Sequence, residues 1–331
     1  MTESLLYWQA LNRALDIEMA TDESVFVLGE DVGLYGGSYR VTQGLRAKYG
    51  DWRVRDTPIS EGGFTGLGVG AALTGMRPVV EIMTVNFALL ALDAIINMAA
   101  KIPFMSGGQF PMPLVIRMPG GVAKQLAAQH SQRLEHTLMN VPGLRIAVPA
   151  TPQDAWWQLR QAIAGDEAVI VLEHELLYFD KGDVDLTITP PPMHQALVRR
   201  TGSDLTLVSY SRMANLAMQA AEVLAKENIQ AEVIDLRSLS PIDWDTCARS
   251  LSKTHRLLVA EEDCRFAGVG AEMIATLTER CFYDLDAVPM RVAGLDMPTP
   301  FNAELEAASI PQIEDIVRAG RSLATGQMTD A

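Results

Sequence analysis

Asp56-Thr57-Pro58-Ile59-Ser60-Glu61-Gly62-Gly63-Phe64 joins the end of a β-rich run to the start of a helix that continues through Gly66, Gly68, Gly70, Ala71 and Ala72. Ser60 has the N-cap residue type and sets Glu61 in the first turn, where the helix dipole favours a carboxylate. Glycine is costly inside a helix, so one carrying this many is expected to lie very close to another backbone or to a ligand. On these residues alone the favoured reading of Glu61 is an acidic first turn of purely structural purpose.

Outward from this stretch, short β-rich runs alternate with helical ones. Tyr7, Leu11, Ala14 and Leu15 recur at helical spacing, and Val25 to Leu28 follow as a strand ending in Gly29-Glu30-Asp31. Further strands are expected at 53–56, 78–83, 113–117, 144–148 and 168–172, with a helix over 154–164. Such alternation specifies an α/β fold, a mostly parallel sheet flanked by helices. Periodicity fails from Tyr178 to Arg200, where Pro190-Pro191-Pro192 cannot join a central strand. The pattern resumes with strands at 205–210, 231–236, 256–260 and 290–292 and helices at 271–279 and 311–321. The apolar face of the first helix of this half runs through Met213, Leu216, Ala217, Ala220, Ala221 and Leu224. The expected division is a domain over 1–185, a linker over 186–200 and a second α/β domain over 201–331.

A formal charge of −14, from 41 acidic and 27 basic side chains, argues against a nucleic-acid or anionic-membrane surface. Cys247, Cys264 and Cys281 form no C-x-x-C pair and are expected to be reduced thiols. The N-terminal residues have neither signal nor transit character, so a cytoplasmic location is expected. The apolar segment 87–105 is interrupted by Asp93, Asn97 and Lys101, which share one face of an expected buried helix rather than a membrane span. Gly268-Val269-Gly270 lacks the third glycine of a dinucleotide fingerprint and reads as a tight strand-to-helix turn. His174-Glu175 is not part of H-E-x-x-H, and no G-x-S-x-G surrounds Ser131.

A series of strings in order along nearly the whole chain carries a stronger signal. Leu28-Gly29-Glu30-Asp31-Val32-Gly33, Gly36-Gly37-Ser38-Tyr39, the Asp56 to Glu61 stretch, Thr84-Val85-Asn86-Phe87, Met105-Ser106-Gly107-Gly108, Ala128-Gln129-His130-Ser131-Gln132, Pro142-Gly143-Leu144 and Ser309-Ile310-Pro311-Gln312 resemble the beta subunits of the thiamine-diphosphate-dependent decarboxylating component of 2-oxo acid dehydrogenase complexes. The resemblance implies a transketolase-like pyrimidine-binding domain followed by a transketolase C-terminal-like domain. It implies that Glu61 hydrogen-bonds N1′ of the cofactor aminopyrimidine, favouring the imino tautomer that removes the thiazolium C2 proton. Phe87 matches the aromatic residue against that ring, which by itself would read as core. His130 matches a histidine that positions the intermediate and the incoming lipoyl group, and Glu30 a carboxylate near the cofactor. Relatives bind a structural potassium ion through backbone carbonyls at positions matching Leu114, Ala162, Ile163, Gly165 and Glu167; the last two replace the Asp and Asn common there.

Enzymes of this class hold the cofactor diphosphate through magnesium with a Gly-Asp-Gly segment. The chain has none, the nearest string being Gly182-Asp183-Val184. The resemblance therefore implies that an alpha subunit supplies the magnesium ligands in a two-alpha two-beta heterotetramer. It implies a dihydrolipoyl acyltransferase as second partner, docked partly by the C-terminal domain. Pyruvate is the expected substrate, because the 36–39 and 105–108 strings look like the pyruvate-type members; branched-chain oxo acids and acetoin are alternatives. A nicotinamide-dependent oxidoreductase conflicts with the broken glycine fingerprint, and a silent scaffold conflicts with the presence of Glu61 and His130.

Overall fold

The computed structural model describes residues 2–122 and 124–326; positions 327–331 of the expected second domain lie outside the described residues. Packing divides the chain into two units, Met1–Gly120 with Thr137–Met193, and Gly121–His136 with His194–Ala331. The segment 121–136 thus groups with the C-terminal unit, whereas the sequence-based division 1–185, 186–200 and 201–331 runs without such an excursion.

The first unit contains β1 (Thr2–Leu6), β2 (Val25–Gly29), β3 (Val54–Asp56), β4 (Arg77–Glu81), β5 (Val115–Gly120), β6 (Arg145–Ala147), β7 (Val169–His174) and β8 (Lys181–Asp185). Its parallel strands lie in the order β6-β7-β5-β4-β2-β3. Every residue of β2 and of β7 is buried, as expected of parallel strands covered on both faces, which explains their continuous Val/Ile/Leu runs. The helix Tyr7–Thr21 presents Tyr7, Leu11, Ala14 and Leu15 to the core and packs on the helix Pro152–Ala164 through Trp156 and Leu159. Thr151 caps that second helix by accepting from the Asp154 N–H at 3.1 Å, with Pro152 at its first position.

Two expectations need correction. Lys181–Asp185 is a strand, paired antiparallel with Thr2–Leu6 in the register Thr2↔Asp185. Its ladder is held by backbone groups on a mostly exposed edge, so its side chains need not alternate, and the sequence pattern gave no sign of it. Residues 87–105 are not one buried helix. A 3₁₀ turn (Val85–Ala91), a π-helix (Asp93–Ala99) and the short helix Ile102–Met105 follow one another, with a 60° bend. Asp93, Asn97 and Lys101 do share a face, but it is solvent-facing: Asn97 donates to Asp93 at 2.7 Å and Lys101 to Asn97 at 2.8 Å. Among the described residues no single helix is long and apolar enough to cross a membrane.

The second unit contains β9 (Leu197–Arg200), β10 (Leu205–Ser209), β11 (Ala231–Asp235), the short β12 (Ser238–Ser240), β13 (Leu257–Cys264) and β14 (Met290–Gly294). One sheet runs β14-β13-β10-β11-β9, parallel except for β9. β9 falls within the expected 186–200 linker; it is an edge strand rich in arginine, which hides its character in the sequence. The helix Ser211–Lys226 buries Met213, Ala217, Ala220, Ala221 and Leu224, with Leu216 partly buried, against Ile316, Val317 and Leu323 of the helix Ile313–Thr325. Gly320 permits that approach: a Cβ there would lie 2.8 Å from Leu224 Cδ1. Cys247, Cys264 and Cys281 are all unpaired thiols.

Candidate active site

The carboxyl ends of the parallel strands in the first unit gather charge, where open α/β sheets bind ligands. Glu30 follows β2, Asp56 ends β3, Glu81 ends β4, and β5 and β7 bring Arg117 and Glu173. Glu61 is the first residue of the helix Glu61–Leu73 and is only 3% exposed. Ser60 occupies the N-cap position but its side chain makes no capping hydrogen bond. The glycines divide into two groups. A Cβ on Gly62 would sit 2.9 Å from the Leu90 carbonyl and one on Gly68 2.6 Å from Val80 Cγ2, whereas Gly66 and Gly70 face open space. Close packing within the chain therefore accounts for the first pair and leaves the second, one helical turn apart, on an uncovered face.

Glu61 stands close enough to Glu30 for its charge to act on the Glu30 carboxyl. Burial first, then the charges of Glu61 and Asp31, push Glu30 up to about 7, so that it keeps its proton through mildly acidic solution and loses it only near neutrality. Its Oε1 is buried and has no partner. A carboxyl that keeps its proton to near neutrality, with a second buried carboxyl close by, suits general acid–base chemistry. Asp56 fixes the loop after Glu30, accepting from the N–H groups of Gly33 at 2.5 Å and Leu34 at 3.1 Å, with Arg46 at 3.2 Å.

Phe87 lies in the 3₁₀ turn Val85–Ala91, which packs against the Glu61 helix. Thr84 shapes that turn, accepting from the Asn86 N–H at 3.2 Å, while Phe87 N–H donates to the Thr84 carbonyl at 3.0 Å. Its neighbours Val85, Asn86 and Ala88 are buried but Phe87 is only partly so, unlike a core residue. Two buried carboxyls, one with an orphan oxygen, and a partly open aromatic residue on the turn that packs against the Glu61 helix fit an aminopyrimidine, which presents ring nitrogens and a flat apolar surface.

His130 belongs to the second unit. It ends a 3₁₀ turn, Ala128–His130, and is exposed. Lys124, Gln125 and Ala127 hold φ values of 57°, 59° and 61° in the same loop, strained backbone of the kind that collects at functional sites.

The potassium positions are in part already satisfied. Leu114 carbonyl accepts from Val169 N–H at 2.9 Å, and Arg77 Nη1 donates to the carbonyls of Ile163 at 3.0 Å and Gly165 at 2.6 Å. The Glu167 carboxylate pairs with Arg145 at 2.7 Å. Each carbonyl retains a second lone pair, but the Arg77 guanidinium stands on two of these oxygens as a competing positive charge.

Two features escaped sequence reasoning. Arg117, 1% exposed, donates from Nε at 2.8 Å and Nη2 at 2.6 Å to Glu173 and from Nη1 at 2.5 Å to Glu81. Tyr178 donates to Glu173 at 2.5 Å and stacks on Tyr39 with centroids 4.5 Å apart. Only the strand register, Glu81↔Arg117 and Arg117↔Val171, brings these groups together. In the second unit the glycines 268 and 270 hold a carboxylate: Glu261 Oε2 accepts from the Gly270 N–H at 3.0 Å, where a dinucleotide phosphate would have to sit.

The pyrimidine-binding domain of transketolase matches residues 3–181 and the transketolase C-terminal domain residues 194–316. A solved "split gene transketolase, inactive beta4 tetramer" superposes with a TM-score of 0.77 over 97% of this chain and 98% of that one, at 22% identity, a likeness of fold. Fold and site thus define a transketolase-type, thiamine-diphosphate-dependent chain. Curated pyruvate dehydrogenase E1 beta subunits are similar throughout. The Gracilaria tenuistipitata protein is 47% identical over 98% of this chain and 100% of its own length, and that of Rickettsia felis 47% over 94% and 95%. The mitochondrial beta-2 subunit of Oryza sativa is 47% identical over 95% of this chain and 84% of its own. The chain belongs to the family of pyruvate dehydrogenase E1 component beta subunits.

Proposed function

We propose that this chain forms the aminopyrimidine side of a shared active site that oxidatively decarboxylates pyruvate in the cytoplasm and passes the acyl group to a lipoyl group of a dihydrolipoyl acyltransferase. The observation that carries it is the buried Glu30–Glu61 carboxyl pair opening the glycine helix at the carboxyl ends of the parallel strands. When bound, thiamine diphosphate supplies the carbanion-stabilising chemistry. Glu61 holds a proton at the pyrimidine N1′, Glu30 buffers that proton, Phe87 covers a ring face, and His130 orients the acyl acceptor. An alpha subunit supplies the magnesium and diphosphate ligands in a two-alpha two-beta assembly. Ile59, Leu67 and Leu90, close in sequence or packing to Glu61, are 84%, 50% and 70% exposed, an apolar surface suited to that partner. A structural potassium ion would use the carbonyls of Leu114, Ala162, Ile163, Gly165 and Glu167, in competition with Arg77 at Ile163 and Gly165.

The test is to assemble the chain with its alpha subunit and compare lipoyl acylation from pyruvate, a branched-chain 2-oxo acid and acetoin, following decarboxylation separately for the two oxo acids. Pyruvate is expected to give the highest kcat/KM. His130→Ala is expected to lower lipoyl acylation about 100-fold and decarboxylation far less. A branched-chain or acetoin preference would reassign the substrate, and full acylation by the variant would remove the role of His130.

A further inference from the structure

We propose that His136 and Asp263 form a positioning pair that holds the His130 loop in the geometry acyl transfer requires; this rests on the role given to His130 above. The loop needs such restraint. Three of its non-glycine residues sit in the left-handed region, and Leu126 near its tip is 41% exposed, so apolar burial does little to hold it.

What holds it is the end of β13. Glu262 Oε1 accepts from the Val122 N–H at 2.7 Å where the loop begins, and the Glu262 carbonyl accepts from Arg133 at 2.8 Å where it ends. His136 Nδ1 then meets Asp263 Oδ2 at 2.5 Å. Asp263 is a fixed acceptor: its side chain is 3% exposed and its other oxygen accepts from the Cys264 N–H at 2.7 Å. A short histidine–carboxyl hydrogen bond is directional and strengthens when the ring is protonated, and it fixes the last point of the loop. The outer contacts are weaker: Gln125 N–H to Glu306 at 2.9 Å on an exposed surface, and Thr299 to the Ser131 carbonyl at 3.4 Å.

The surroundings favour a charged His136. Glu135, Arg133, Tyr210, Arg212, Glu261 and Glu262 stand around the pair. Burial pushes Glu135 up to about 8 and Glu261 up to about 7, so each gains negative charge near His136 as pH climbs through neutrality. The Asp263 bond in turn raises the histidine above its ordinary value. A raised histidine keeps the ion pair at low pH and loses it as pH climbs through that value.

In the assembled enzyme, His136→Ala, His136→Gln and His130→Ala would be compared in two partial reactions, decarboxylation with an artificial electron acceptor and acylation of a free lipoyl domain, from pH 6 to 9. His136→Ala is expected to lower acylation about tenfold and decarboxylation less than twofold. His136→Gln, which still donates to Asp263, is expected to recover most of the loss while flattening the alkaline fall of the wild-type acylation profile. Acylation by His136→Ala within twofold of wild type, or both reactions falling together without rescue by glutamine, overturns the pair. His130→Ala separates the causes: if it loses acylation while His136→Ala does not, only the pair fails, and if it retains acylation the underlying role of His130 fails with it.

Discussion

Glu61→Ala, assembled with the alpha subunit, is expected to decarboxylate pyruvate on the order of 10³-fold more slowly than wild type, the range a positioned acid–base group contributes. Its location makes the effect chemical. Glu61 is buried at a helix start, where a carboxylate serves the dipole weakly, so the loss of folding stability should be about 1 kcal/mol. Glu30 cannot take over, because it follows β2 rather than opening the helix. Glu61→Gln retains a hydrogen-bonding group but not a proton acceptor, and should rescue folding without rescuing rate. Steady-state decarboxylation by the folded assembly checks both variants; more than a tenth of wild-type activity in Glu61→Ala would remove the assigned role.

Arg117→Met is expected to produce the largest loss of stability. Among the described residues Arg117 is the sole cation in hydrogen-bond contact with the buried carboxylates Glu81 and Glu173, the second bidentate. Burial pushes Glu81 up and the arginine opposes that shift, so removing the guanidinium leaves like charges facing each other in a dry site. Breaking a buried pair from one side costs about 3–5 kcal/mol. Thermal unfolding of the isolated chain followed by circular dichroism should show a Tm lower by roughly 5–15 °C. Arg117→Lys keeps the charge but not the fork that meets Glu173 at two points, and should recover only part of the loss. An unchanged Tm in the methionine variant would mean that the network contributes packing and not charge balance.

Much of this was legible in local sequence. Val25–Leu28 and the other apolar runs read as strands because parallel strands are buried on both faces, and the glycines after Glu61 marked a helix with unusual neighbours. What could not be read arises from contacts between distant residues. Glu30 and Glu61 each look like an isolated acidic residue at the end of an element; they act on each other only once β2 and β3 lie side by side. Arg117 is a lone charge closing an apolar run, and its partners come from the strands on either side. His136 carried no motif, because Asp263 reaches it from a different part of the chain. The strand Lys181–Asp185 was hidden for another reason: backbone pairing at an exposed edge places no demand on side-chain pattern.

The central claim is that this chain holds half of a cofactor site. Calorimetric titration of thiamine diphosphate with magnesium into the lone chain, and into the chain mixed with its alpha subunit, tests it directly. No saturable heat is expected from the lone chain, and one cofactor per beta chain from the mixture. Tight, magnesium-dependent binding by the lone chain would contradict the shared site.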